Sequence, residues 1–189
     1  QRADLSKKAH YFCLNKPERA LLKMTYTIRP GQEDVTDTPE YQDCIQAMKD
    51  GRPLSDLPFH LRMDAVCAWA VRNAIQSGDY TKFEEMLKCG DIPLDVLFQG
   101  VIFGGVCFRT GQVDAFKVDS WVKFVQKGGD LSDVPDKHRM DWVCWQAVWN
   151  AGQEGGKYAK FAQMITDGVI PSGVLSTLFL RGNEDHFRS

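Results

Sequence analysis

The sequence predicts an all-α protein built from two tandem copies of a four-helix unit of roughly 70 residues. Two observations lead to this prediction. Residues 54–74 align without gaps with residues 131–151, and 13 of these 21 positions are identical. In both copies the apolar side chains recur at i, i+3 and i+4, the spacing of an amphipathic helix. We therefore expect a basic segment 1–37, a first repeat 38–112 and a second repeat 113–189, with the two repeats packed as one domain.

The first helix of each repeat has a start signal in front of an apolar stripe. Thr38 followed by Pro39 has the form of an N-cap with proline at the first helical position. The stripe after it ends near Gly51 and consists of Cys44, Ala47 and Met48. In the second repeat we expect Asp119 to start the corresponding helix, which then ends near Gly128.

The second helix holds most of the identical positions and is the main helix of the repeat. A short Ser-Asp-hydrophobic-Pro turn comes before it in both copies. We expect Asp64 and Asp141 to cap its N-terminus, and Asn73 and Asn150 to lie near its end. In the repeated Arg-Met-Asp triplet, the arginine is expected to satisfy nearby carbonyls or carboxylates rather than to form a functional pair with the aspartate.

Two further helices complete the unit. Asp79 is placed to cap a third helix, and Pro93 and Pro171 are expected to open the fourth, because proline suits a first helical turn. The Gly104–Gln112 stretch then looks like a packed connector between the copies. One short strand is possible near the N-terminus, where apolar residues alternate with threonines: Met24, Tyr26 and Ile28.

Composition excludes several classes of protein. The chain has 189 residues, of which 43% are hydrophobic and 25% charged, so it is neither disordered in composition nor equipped with a membrane-spanning stretch. The net charge is −2. Residues 1–30 carry seven Lys or Arg against two acidic residues, which is +5, so the remainder of the chain carries −7. The charge is therefore segregated.

The cysteines favour a reducing compartment such as the cytoplasm. There are six, with no C-x-x-C pair and no histidine at metal-ligand spacing. Cys67 and Cys144 fall inside apolar helical patterns, where buried thiols are common. The sequence accordingly predicts no metal site and no cofactor.

The main helix of the second repeat carries a stripe of tryptophans, namely Trp142, Trp145 and Trp149, on the side away from the shared apolar face. Their counterparts in the first repeat are Ala65, Ala68 and Arg72. Two interpretations are open. The stripe packs as core between layers, or it is exposed and, together with Arg72, binds a partner.

No catalytic motif is visible, whether a nucleophile elbow or a phosphate-binding glycine loop. The sequence therefore favours a non-enzymatic protein-interaction module that binds a partner protein through the aromatic helix face or the groove between the repeats. One alternative is an enzyme whose site is assembled between the copies. Another is nucleic-acid binding through the basic first 30 residues, with Tyr11 and Phe12 available for stacking. The acidic remainder of the chain makes nucleic acid the least favoured partner.

The repeated pattern P-x-x-x-R-x-x-x-V-C-x-x-A-V-x-N-A, found at residues 58–74 and 135–151, is similar to short helical repeats of bacterial proteins, including some secreted effectors of intracellular pathogens. This resemblance implies an all-helical array. It also implies a bacterial effector or inhibitor that is delivered into a host cell, and it brings no catalytic residues with it.

Overall fold

The computed structural model describes residues 35, 37–106, 120–154 and 158–188, and these are helical with no strand among them. Eight α-helices are present in these ranges: α1 (Pro39–Lys49), α2 (Asp64–Ala74), α3 (Thr81–Lys88), α4 (Leu94–Val106), α5 (Ser120–Gln126), α6 (Asp141–Gln153), α7 (Ala159–Asp167) and α8 (Ser172–Gly182). Single 3-10 turns lie at Leu54–Asp56, Phe59–Leu61, Leu131–Asp133, Asp136–His138 and Glu184–Phe187. The all-α prediction is thus confirmed.

Several expectations concern residues outside these ranges. The basic segment 1–37 lies there except for Val35 and Asp37, and so do the possible strand, Tyr11 and Phe12. Asp119 also lies outside them, and α5 is described from Ser120 onward. None of the described helices combines the length and apolar character that a bilayer crossing requires.

The predicted start of α1 is confirmed. The Thr38 hydroxyl accepts a hydrogen bond from the Tyr41 backbone N–H at 3.3 Å, and Pro39 occupies the first helical position. The expected stripe of α1 is buried, and Tyr41 joins it. The third and fourth helices also begin close to where the signals place them. The Asp79 carboxylate accepts the N–H of Thr81, the first residue of α3, at 3.0 Å, and α8 begins directly after Pro171.

The expectation for Asp64 and Asp141 is wrong by one residue. Each is the first residue of its helix, and the cap position belongs to Met63 or Met140, which cannot cap with a side chain. The two carboxylates instead reach residues near the end of the described chain. Asp64 Oδ2 lies 2.8 Å from His186 Nε2, and Asp141 Oδ2 lies 3.5 Å from Arg181 Nη2.

The first two helices of each half are tied together by an asparagine at the same position. Asn73 Nδ2 donates to the Met48 carbonyl at 2.5 Å, and Asn150 Nδ2 donates to the Val125 carbonyl at 2.8 Å. The two asparagines are 77 positions apart in the sequence, and so are the two residues whose carbonyls accept from them. Each asparagine thereby satisfies a carbonyl in the last turn of the preceding helix.

The two repeated arginines hold the turns in front of the main helices, as expected. Arg62 donates through Nε to the Leu57 carbonyl at 3.1 Å and through Nη1 to the Asp91 carbonyl at 3.0 Å. Arg139 repeats this pattern on carbonyls of the second half, at 2.8 Å from Val134 and 3.2 Å from Val169. The planar guanidinium fork allows one side chain to bridge two segments.

The connector expected at Gly104–Gln112 does not start at Gly104, because Gly104 and Gly105 lie inside α4, while residues 107–112 lie outside the described ranges. A Cβ built at Gly104 would overlap the main-chain oxygen of Leu178 in α8, and one at Gly182 would overlap that of Gly100. The two glycines are therefore needed for close approach of helices rather than for a turn. The α4–α8 crossing lies within a single buried cluster that runs from Tyr41 to Phe179.

Candidate functional site

Two of the three tryptophans singled out in the sequence are core residues. Trp145 is 0% exposed, and its Nε1 donates to the Ile102 carbonyl of α4 at 3.0 Å. Trp149 is 4% exposed and stacks on Trp145 with ring centroids 5.8 Å apart. Trp142 is half-buried and meets Trp145 edge to face. Of the two interpretations, burial between layers describes Trp145 and Trp149, which offer no surface to a partner.

Glycines in neighbouring helices make room for this aromatic core. A Cβ at Gly105 would overlap the Trp145 indole, and a Cβ at Gly152 would overlap the Phe98 ring. Phe98 of α4 in turn packs on Tyr158 and Phe161, with centroids 5.2 and 5.6 Å away. The large side chains of the second half thus fill the volume against α4, a role that Ala68 cannot play at the position equivalent to Trp145 in the first half.

Arg72 lies on the surface, at the centre of a cluster that we call the α1/α2 patch: Lys49, Trp69, Arg72 and Phe187. The Arg72 guanidinium carbon lies 5.2 Å from the Trp69 ring centroid and 4.7 Å from that of Phe187. Lys49 Nζ lies 5.2 Å from the Trp69 ring. The rings of Trp69 and Phe187 meet at 82° with centroids 5.1 Å apart. Two cations therefore flank one half-buried tryptophan.

The two cations of the patch have no acidic partner within the described ranges. The ion pairs found there involve the arginines at positions 52, 62, 139, 181 and 188 and His186, and neither Lys49 nor Arg72. Both side chains are exposed. Their charge is therefore available to an incoming group, while the aromatic rings fix where the Arg72 guanidinium lies.

Trp69 was not predicted as a site residue, although the sequence carries a signal for it. Trp69 and Arg72 are three residues apart on α2 and therefore share a helix face, the spacing at which side chains interact. The comparison of the copies drew attention to the tryptophans of the second half instead. At the position of Trp69 the second half has Gln146, which is buried at 2% exposure. The two halves thus differ in which face of the main helix reaches solvent.

Apart from the α1/α2 patch, the surface has a cleft between α3 and the start of α8. This cleft has a volume of about 450 Å³ and an apolar floor that includes Leu87, Ile165 and Leu175. Its polar rim contains Glu84, Lys88 and Asp167. Ser172 donates to Glu84 Oε1 at 3.0 Å, so this carboxylate is engaged at the N-terminus of α8. No histidine or cysteine lines the cleft.

The described thiols are mostly buried. Cys44, Cys67 and Cys144 lie in the core, whereas Cys89 at the end of α3 is exposed. Burial raises the pKa of the Cys144 thiol to about 12, and burial also raises the pKa of Cys44. In the part of the chain that the structure describes, no three His, Cys, Asp or Glu side chains are arranged to hold a metal ion.

The chain matches no protein-family model, and comparison with curated proteins and with solved structures finds no match.

Proposed function

We propose that this chain is a non-enzymatic protein-interaction module and that its partner docks on the α1/α2 patch. One observation carries the proposal: the guanidinium of the exposed Arg72 lies against the rings of both Trp69 and Phe187, and no carboxylate of the described chain forms an ion pair with it. Tryptophan and arginine are the residues most enriched at interface hot spots. An arginine held in place by aromatic rings also loses little side-chain entropy on binding.

The chemistry of the patch indicates an acidic partner. A carboxylate that approaches Arg72 gains charge-assisted hydrogen bonds, and Lys49, 5.2 Å from the Trp69 ring, provides a second positive charge. An apolar or aromatic side chain of the partner packs against the exposed part of the indole. The partner surface is therefore one that combines acidic residues with at least one large apolar residue.

We infer that α1–α4 and α5–α8 are two tandem copies of one four-helix unit, paired about an approximate two-fold axis. The asparagine and arginine contacts that recur 77 or 78 positions apart support this. Reciprocal glycine contacts support the axis: Gly104 of α4 meets Leu178, and its counterpart Gly182 meets Gly100. In a two-fold pairing, if residue i meets j, the counterpart of i meets the counterpart of j.

Trp69 and Arg72 of the patch belong to the first unit and have no exposed counterparts in the second. Positions 69 and 72 correspond to Gln146 and Trp149, and both are buried in the second unit. Within the described ranges the duplication therefore yields this surface once, with the second unit supplying Phe187. The repeated motif at residues 58–74 and 135–151, which resembles repeats of bacterial secreted effectors, supports a bacterial effector or inhibitor that works in the reducing cytoplasm of a host cell.

Charge reversal on the patch tests the proposal. A photo-crosslinking amino acid is placed at position 45, one helical turn before Lys49, in three versions of the chain: unaltered, Lys49→Glu/Arg72→Glu, and Lys137→Glu. Lys137 is an exposed lysine of the 136–138 turn and serves as the matched charge control. We expect a crosslinked protein in host lysate with the unaltered chain and with Lys137→Glu, and its loss with the double reversal.

Three results contradict the proposal. The first is a crosslinked protein that survives the double reversal, since this means that the patch cations do not recognise it. The second is the absence of any specific crosslink. The third is a crosslinked product that disappears with nuclease treatment, because a nucleic acid can also stack on Trp69 and pair with Arg72. Retention on nucleic acid at low salt would then identify the alternative function.

A further inference from the structure

We propose that residues 184–188 form a displaceable strap over Trp69 and Arg72 of the α1/α2 patch, and that the partner replaces the strap by inserting an aromatic side chain flanked by acidic residues where Phe187 lies. This inference rests on the proposed function, since it names the partner chemistry and the regulation of the same surface. Three features support it: the contacts of Phe187 and His186 with α2, the ion pairs of Arg188 within the strap, and the positive charges of Lys49 and Arg72.

Two side chains dock the strap on α2. Phe187 lies edge to face with Trp69 and beneath the Arg72 guanidinium. His186 Nε2 lies 2.8 Å from Asp64 Oδ2 at the first residue of α2. The strap itself is a single 3-10 turn without a buried residue. Phe187 and His186 are thus two side chains by which the strap is attached to α2.

Two ion pairs of the strap are internal to it. Arg188 pairs with Glu184 at 3.6 Å and with Asp185 at 3.7 Å, both within the strap. The Arg188 side chain is 74% exposed, and exposed pairs of this kind contribute little to stability. The acidic residues of the strap are thus engaged with its own arginine and do not neutralise Lys49 or Arg72.

The strap has a fixed base. Asn183 is 3% exposed, and its Nδ2 donates to the Phe179 carbonyl at 2.9 Å in the last turn of α8. Release of residues 184–188 therefore leaves α8 and its crossing with α4 unchanged. A buried hinge followed by an exposed, lightly held turn is the arrangement expected of a segment that opens locally.

The unsatisfied cations define the partner that competes with the strap. Phe187 supplies the ring that Trp69 and Arg72 contact, but it supplies no carboxylate to either patch cation. A ligand with an aromatic residue between acidic residues provides both and therefore binds more tightly than the strap. The strap lowers the affinity for such a ligand, because a docked segment of the same chain acts at an effective concentration on the order of millimolar.

A synthetic peptide tests this competition. The probe is a fluorescein-labelled peptide with the sequence Ser-Asp-Glu-Asp-Phe-Glu-Asp-Ser, and its control has alanine in place of phenylalanine. Binding by fluorescence anisotropy is compared for the unaltered chain, Phe187→Ala and Phe187→Ala/Arg72→Glu. We expect Phe187→Ala to bind the probe at least about fivefold more tightly than the unaltered chain, given the effective concentration of the strap. The alanine peptide and the Arg72→Glu variant should lose this binding.

A second measurement uses no variant and covers the case in which Phe187→Ala alters the fold. Saturating unlabelled probe should shift the NMR signals of the His186 ring in the unaltered chain, because displacement separates it from Asp64. Equal or weaker binding to Phe187→Ala, or an unshifted His186 signal at saturation, would overturn the strap. Absence of binding to every version would overturn the partner chemistry. If instead the unaltered chain gives no specific crosslinked protein while the peptide results are as expected, the proposed function is refuted and the strap stands.

Discussion

Gly104 of α4 lies directly against the main chain of Leu178 in α8, with no space for a Cβ between them. The reciprocal contact joins Gly182 to the main chain of Gly100. Two helices that cross backbone to backbone need small residues at the crossing point, because any side chain there separates them. The core depends on this crossing, since α4 also accepts the indole hydrogen bond of Trp145.

Gly104→Ala should therefore destabilise the chain, by about 1–3 kcal/mol or more, the cost of overpacking a dense core. Gly173→Ala is the matched control. Gly173 lies in the first turn of α8, where the nearest atom to an added Cβ is 3.4 Å away. Alanine is the better helix former, so the control should be neutral or more stable by up to about 1 kcal/mol. Urea unfolding measures the stability of both variants. Equal changes for Gly104→Ala and Gly173→Ala would refute the close crossing of α4 and α8.

Trp145→Phe should destabilise the chain by about 2–4 kcal/mol, because it leaves a cavity and removes the hydrogen bond to Ile102. Trp69→Phe is the comparison, since Trp69 is half-buried on the surface and should cost less than about 1 kcal/mol. Calorimetric unfolding of both variants measures the two losses of stability. A larger loss of stability for Trp69→Phe than for Trp145→Phe would contradict the assignment of Trp145 to the core and of Trp69 to the surface.

Asn73→Ala and Asn150→Ala should each lower the free energy of unfolding by about 1–2 kcal/mol, because each removes a side-chain hydrogen bond that ties the main helix to the preceding one. Their effects should add in the double variant, since the two sites share no partner. Gln76→Ala, at an exposed position after α2, is the control with little expected effect. Unequal losses of stability would argue against equivalent roles for Asn73 and Asn150 in the two halves.

Of the described thiols, Cys89 should react with iodoacetamide first in the native chain at pH 8, whereas Cys44, Cys67 and Cys144 should react after unfolding. Peptide mapping by mass spectrometry identifies the alkylated positions. Rapid labelling of Cys144 in the native chain would contradict its burial.

Alkaline pH should also weaken the fold through Cys144. Its pKa of about 12 in the folded chain lies above the unfolded value of about 8.5. The unfolded chain therefore releases this proton first, and stability falls as the pH rises above about 9 toward 12. Unfolding by urea at a series of pH values measures the slope, and Cys144→Ala should reduce it. An unchanged slope in this variant would assign the alkaline loss to other groups.

The sequence predicted the all-α class and most helix starts because those features are local. A threonine before a proline, or an apolar stripe of period 3.6, is readable without knowing what packs nearby. The position of Asp64 was misjudged by one residue because its carboxylate serves a distant partner, His186, and sequence spacing carries no information about such a contact. Gly104 was assigned to a connector for the same reason, since a glycine at a helix crossing and a glycine in a turn look alike in sequence.

The candidate site was only partly predictable. Arg72 was identified through its difference from Trp149, but the tryptophan beside it in the structure is Trp69 rather than one of the second half. An apolar stripe that reads as exposed on a single helix becomes core when another helix covers it, and only the tertiary arrangement decides which stripe is covered. Phe187, which completes the patch, is more than 100 positions away from Arg72 in the sequence.

Main-chain contact between α4 and α8 also limits how this chain can diversify. A longer side chain at position 100, 104 or 182 would push α4 and α8 apart. The indole of Trp145 would then lose its acceptor, the Ile102 carbonyl of α4. Substitutions that survive selection are therefore expected to accumulate on exposed positions of α3 and α5, while the three glycines stay as they are across any set of descendants that keeps the fold.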